Sequence, residues 1–204
     1  MPFNYNPWKH PRRRAFWALS PDQLVVAVLE PTADEPLLIA CAALRPRLME
    51  NDQKGMFAPG IVELARSVCS EKLGHVVALP AQYSRLVEED EAVAVDERYS
   101  VSALVGGGSG LSVHAMPEAV AESRSLFLQA GLRLEAVDCA ATAVLNFRSY
   151  LGEGTEGVKG LDPLVAVSVA PTCEATASAL GSLLSVPLGL ALGRLGGVGE
   201  GGVG

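Results

Sequence analysis

Three observations on this 204-residue sequence predict an α/β fold. A strand, helix, strand, helix order runs through 111–150. A hairpin pattern occupies 15–30 and is followed by a third apolar run at 37–44. The stretch HVVALP, 75–80, has the length and β-branched content of a strand covered on both faces.

The first 14 residues hold Pro2, Pro7 and Pro11 and the basic cluster Lys9, His10, Arg12, Arg13 and Arg14, which reads as a flexible basic arm. One reading makes the arm a tether to anionic lipid, with Trp8, Phe16 and Trp17 at the interface. The simpler reading is a solvated leader followed by two core aromatics. Segments 15–19 and 24–30 form the hairpin, turning at Ser20, Pro21 and Asp22, and 37–44 completes a meander. A polar connector, 50–60, precedes an amphipathic helix at 61–73 with Ile61, Leu64, Ala65 and Val68 on one face. Gly74 ends that helix and 75–80 is the central strand. The acidic run Glu88, Glu89, Asp90 and Glu91 sends its side chains in different directions and reads as solvated.

A strand at 98–105 leads through the glycine-rich loop 106–110 into the segment 111–150. Its pieces are a strand at 111–115, a helix opened by Pro117, a stop at Gly131, a strand at 133–137 and a second helix from Ala140. Pro117 suits a first helical turn and Gly131 the left-handed residue past a helix end. Ala119, Val120, Leu126, Phe127 and Ala130 form the apolar face of the first helix, while Glu118, Glu122, Ser123, Arg124 and Gln129 face water. Residues 152–160 read as a linker and 164–169 as a strand. The uncharged stretch 175–193 reads as a buried helix or helix pair rather than a membrane span, because Gly181, Pro187 and Gly189 interrupt it. The tail 196–204 is expected to be disordered.

At 49% hydrophobic and 19% charged residues the chain can bury a sizeable core. A net charge of −7 argues against direct nucleic-acid contact, which needs concentrated Lys and Arg. Cys41, Cys69, Cys139 and Cys173 are scattered, and no apolar leader follows the basic N-terminus, so reduced thiols and a cytoplasmic location are expected. His10, His75 and His114 show no metal-ligand spacing, so no metal is expected. The loop around Ser109 lacks the G-K-[ST] of a phosphate loop and the frame of a nucleophile elbow. Two G-x-G-x-x-G matches, 152–157 and 199–204, do not join a strand to a helix and carry no dinucleotide signal.

Several short motifs fall in a recognisable order: VVALPAQYSR at 76–85, MPEAV at 116–120, QAGL at 129–132, AVD at 136–138, the Ala-rich helix 140–145 and VPLGLALG at 186–193. Together they resemble the PilM, MshI and HofM family of pilus and DNA-uptake proteins. The resemblance implies an actin-like (ribonuclease H-like) mixed sheet with flanking helices and a reduced second lobe. The expected organisation is an arm at 1–14, an actin-like domain at 15–151, a linker at 152–160, a reduced C-terminal lobe at 161–195 and a tail at 196–204. Active actin-like ATPases carry a phosphate loop D-x-G-x-x-x-x-K in the first hairpin and an Asp-x-Gly pattern in a second. Here these places read LSPDQ (19–23) and VSVAPTC (167–173), with Pro21, Ser168 and Pro171 where glycine, acid or a free N–H is wanted. Asp22 there is ordinary turn chemistry.

No catalytic residue and no cofactor are therefore expected. The resemblance implies a noncatalytic cytoplasmic scaffold of a pilus or DNA-uptake complex, held at the inner membrane. Its partner is the cytoplasmic N-terminal segment of a PilN-like bitopic protein, and self-association is also open. Candidate groove residues are Tyr83, Arg85, Arg133 and Arg148, each of which also reads as ordinary surface. The alternative is a nucleotide-binding ATPase with degenerate loops, its pocket lined by Ser109, Asp138 and Thr172. Asp138 and Thr172 are equally explained as helix caps.

Overall fold

The computed structural model describes residues 13–20, 22–32, 35–45, 57–68, 73–88, 101–104, 111–150 and 162–192. The basic arm up to residue 12, Pro21, the glycine loop with Ser109, the linker and the tail from residue 193 lie outside them.

Strands β1 (Arg14–Ser20), β2 (Gln23–Glu30) and β3 (Leu37–Leu44) form an antiparallel meander, as the apolar runs predict. Helix α1 (Phe57–Val68) follows, and then β4 (Gly74–Leu79) pairs parallel to β1. A 3-10 turn at Ala81–Tyr83 leads into β5 (Ser84–Glu88). With β6 (Val101–Leu104) and β7 (Leu111–Ala115), β5 makes a separate antiparallel sheet in the order β5-β7-β6. Helix α2 (Pro117–Gln129) returns the chain to β8 (Leu134–Cys139), parallel to β4, and α3 (Ala140–Tyr150) follows. After the linker come a 3-10 turn (Pro163–Ala166), β9 (Ser168–Val169), α4 (Glu174–Leu180), a second 3-10 turn (Gly181–Leu184) and α5 (Ser185–Leu192).

The main sheet has the order β8-β4-β1-β2-β3-β9. Two parallel crossovers in the same direction, β3 to β4 through α1 and β4 to β8 through α2, put both helices on one face. There Trp17, Leu24, Val26 and Val77 pack with Ile61 and Leu64 of α1 and Val120 and Phe127 of α2. The opposite face, with Phe16, Val25, Ala27 and Val76, is covered by Ala143 and Phe147 of α3, Ala177 of α4, and Leu188, Leu190 and Leu192 of α5. Alternate residues of β1 and β2 thus serve two cores, which is why both strands read as near-continuous apolar runs. Residues 162–192 lie on this second face.

The central motif forms as its punctuation dictates. Pro117 takes the first helical turn, where no acceptor awaits its missing N–H, and Gly131 adopts φ +70° just past the helix end. Leu132 N–H bonds back to Phe127 O at 2.9 Å, and Gly131 N–H to Leu128 O at 2.9 Å, closing the last carbonyls of α2.

Phe16 and Trp17 are fully buried, which agrees with the simpler reading of them as core aromatics. Five other expectations change. Arg14 belongs to β1 rather than to an arm. Helix α1 begins at Phe57, four residues early, since Pro59 is tolerated in a first turn. Gly60 lets α1 approach the sheet: a Cβ there would lie 2.8 Å from Leu24 Cδ1. Ser123 is buried, not solvated, and β8 runs 134–139 rather than 133–137. The strand expected at 164–169 shrinks to Ser168–Val169, because Pro163 and the Asp162 carboxylate, accepting from Leu164 N–H at 3.0 Å, start a 3-10 turn.

The uncharged stretch near the C-terminus becomes a helix pair. By length and composition Glu174–Leu192 could cross a membrane. It is broken at Gly181, where φ is +49°, and Leu184, Leu188, Leu190, Ala191 and Leu192 are buried in the second core.

Candidate functional site

In a sheet of this kind ligands collect beyond the C-terminal ends of the parallel strands. At the end of β1 the hairpin turn is closed by Ser20, whose hydroxyl donates to Gln23 O (2.9 Å) and accepts from Gln23 N–H (3.0 Å). The N–H that a phosphate would seek is thereby occupied. Asp22 points to solvent.

Directly after Cys139, the last residue of β8, helix α3 begins at Ala140. Asp138 Oδ1 accepts from Cys139 N–H at 2.7 Å. The capping role falls to Cys139 itself, whose Sγ accepts from Thr142 N–H at 3.4 Å and lies 2.6 Å from Thr142 Oγ1. Burial pushes the Cys139 thiol up, the Thr142 hydroxyl opposes it, and Asp138 adds to the shift. Ser84 Oγ is fully buried beside this thiol and has no hydrogen-bond partner among the described residues.

The second loop place, after β9, is also internally engaged. The Ser168 hydroxyl donates to the Glu35 carboxylate. Thr172 is exposed and caps nothing: the residue preceding α4 is Cys173, without a side-chain capping bond. Cys173 instead contributes a buried thiol 3.8 Å from Cys41 Sγ. Burial, reinforced by Cys173, pushes Cys41 up to about 12.

Two of the three residues named for the ATPase alternative are not brought together. Asp138 lies on β8 and Thr172 follows β9, the two opposite edges of the six-stranded sheet. Five strand spacings separate them, roughly 24 Å. Ser109 lies outside the described residues. No group of three His, Cys, Asp or Glu able to hold a metal occurs among the described residues.

The groove candidates divide between two ends of the sheet. Tyr83, 37% exposed, sits past the C-terminal end of β4, its carbonyl accepting from Met116 N–H at 3.0 Å. Arg85 follows on β5, opposite His114 of β7. Arg133 is exposed just before β8, where its carbonyl accepts from His75 N–H at 3.0 Å, next to the start of β4. The six residues of β4 separate it from Tyr83 by roughly 20 Å. Arg148 is near the end of α3. Tyr83 and Arg85 are neighbours at one end, and Arg133 does not join them.

A polar cluster near Arg133 escaped the sequence reading. Arg14 Nε donates to Glu135 Oε2 at 2.9 Å, with both side chains largely shielded. His75, 2% exposed, accepts at Nδ1 from the Trp17 indole N–H at 3.0 Å, and Phe127 stands edge-on to Trp17 at 5.5 Å. Burial lowers His75 to about 4, against the opposing pull of Glu135. The available signal was Arg14 and His75 each opening an apolar strand.

No protein-family model matches the sequence, and no curated protein does. Among solved structures the chain is similar to one from the "PilM-PilN type IV pilus biogenesis complex". The TM-score is 0.65 at 14% identity, over 90% of this chain and 98% of that one. Weaker likenesses are to the cytoplasmic domain of EpsL, an inner membrane component of the type II secretion system of Vibrio cholerae (TM-score 0.45, 14% identity, 66% of this chain and 57% of that one). Another is to T. thermophilus RuvC in complex with Holliday junction substrate (TM-score 0.47, 12% identity, 89% and 92%). The likeness to the pilus structure establishes the fold as the actin-like, ribonuclease H-like α/β type.

Proposed function

We propose that this chain is a noncatalytic scaffold of a type IV pilus or DNA-uptake machine. It acts at the cytoplasmic face of the inner membrane and holds the cytoplasmic N-terminal segment of a PilN-like bitopic protein. The observation that carries the reading is the shared fold, over nearly the whole of both chains, with a structure from a PilM–PilN complex. Two features of the chain support the noncatalytic part. Ser20 occupies the Gln23 N–H in the first phosphate-loop place, and in the second the Ser168 and Ala170 N–H groups donate to Pro36 O and Leu38 O. A triphosphate needs clustered free amides, a neutralising cation and close backbone approach. The segment docks at the end of the sheet marked by the exposed Tyr83 and by Arg85, two residues on at the start of β5.

Two measurements test this. The chain co-expressed with a PilN-like protein should co-purify with it, and deletion of the partner's cytoplasmic segment should abolish the association. Calorimetry with ATP and Mg²⁺ should give no binding isotherm; micromolar binding with turnover would replace the scaffold by an ATPase.

A further inference from the structure

The main sheet ends, beside β3, on a neighbour only two residues long. Ser168 N–H donates to Pro36 O (3.1 Å) and Ala170 N–H to Leu38 O (2.9 Å), and the chain then turns away into α4. At the next position β3 carries a bulge. Val28 faces Ala40 and Leu29 faces Leu38, which leaves Ile39 as the extra residue, and Ile39 and Ala40 both pack toward α1. Alternation then resumes, with Cys41 and Ala43 toward the α4 face and Ala42 and Leu44 toward α1.

Over 40–44 the strand is bonded to β2 on one side, and on its other side no described residue bonds to its backbone. Ala40, Ala42, Ala43 and Leu44 are partly exposed. The sequence there, ACAAL, has neither the charge nor the proline that usually blunts an edge. Arg45 follows, exposed and without an ion pair among the described residues.

We propose that 40–44 of β3 is a docking edge for an extended peptide segment of another protein, which lies in the row that β9 begins and is uncharged apart from one acidic group set against Arg45. Unpaired backbone N–H and C=O groups in a row are satisfied by another backbone, so the occupant is a strand rather than a helix. The parallel sense of β9 sets its direction, which brings the C-terminal end of the segment to Arg45. A second copy of this chain fits poorly. In a symmetric antiparallel pairing centred on Ala42, residue 46 of each copy falls opposite Leu38 of the other, where β9 already sits. A free peptide has no such continuation. This edge is distinct from the Tyr83 end and goes beyond the scaffold reading.

The test uses the full chain and a synthetic acetylated, C-terminally amidated peptide, TVTVSVTE, followed by calorimetry and amide hydrogen exchange. Saturable binding should slow exchange within 36–45. Methylating alternate peptide nitrogens should weaken it at least tenfold. The exposed substitution Arg45→Glu should weaken it about tenfold, and a Lys-ended peptide should restore it. The proposal is overturned by no saturable binding at millimolar peptide, by protection elsewhere, or by indifference to Arg45→Glu. It is overturned equally by a dimer whose 40–44 amides are already protected without peptide. A PilN-like N-terminal segment run in parallel keeps the two ideas separate: its binding without protection at 36–45 leaves the scaffold standing, while the designed peptide decides the edge.

Discussion

His75 is a base held neutral by its surroundings, so its titration is a statement about folding. Its folded value of about 4 lies below the ordinary 6.5. Between those values the unfolded chain binds the proton and the folded one does not. Stability from this residue is therefore complete above pH 6.5 and is lost as pH falls toward 4, by about 3 kcal/mol in all. Urea midpoints measured across that window should show the slope, and His75→Gln, which can still accept from the Trp17 indole, should flatten it. Gly74, next in the chain, answers to Glu135: a Cβ there would stand 2.2 Å from its carboxyl carbon. Gly74→Ala should displace Glu135 from Arg14 and cost about 2 kcal/mol. In a double-mutant cycle with Glu135→Gln the two losses should fail to add.

Helices α3 and α5 meet through their small residues. A Cβ on Gly189 would fall 1.9 Å from the Ala143 carbonyl oxygen, a backbone atom that cannot swing aside. Gly189→Ala should therefore force the helices apart and cost about 3 kcal/mol. Gly131 offers the contrast, since nothing lies within 4 Å of its would-be Cβ and only its φ of +70° resists a side chain. Gly131→Ala should cost about 1 kcal/mol, and thermal melts of the two variants should rank accordingly. The sequence motif GLALG thus has a packing reason: its first glycine, Gly189, is where the last helix comes against the backbone of α3.

The whole molecule is a ribonuclease H-like sheet, β3-β2-β1-β4-β8, carrying two additions. One is the three-stranded sheet inserted between β4 and α2. The other is the C-terminal set of short elements, which closes one face with α4 and α5 and starts, but does not finish, a further strand beside β3. Because α5 supplies Leu188, Leu190 and Leu192 to the second core, removing residues from 185 onward should unfold the domain rather than trim it. Circular dichroism of the truncated chain would show the loss of cooperative melting.

Elements with strong local punctuation were legible in the sequence: β3, β7, the start of α2 at Pro117, the stop at Gly131 and the start of α3 at Ala140 all fall where their residues place them. Local physics suffices there, because a proline or glycine acts on its own backbone and apolar period acts within one element. The order of the motifs also carried the fold class. What only the tertiary structure decided is everything that depends on distance between remote residues. Asp138 and Thr172 are set at opposite sheet edges, Arg133 is parted from Tyr83, and Trp17 is joined to His75 across 58 positions. The same holds for the strand 164–169, which a capped turn cut to two residues, and for the backbone of 40–44, to whose outer side no described residue bonds. Pairing partners and exposed edges are properties of the assembled sheet, and no stretch of chain encodes them alone.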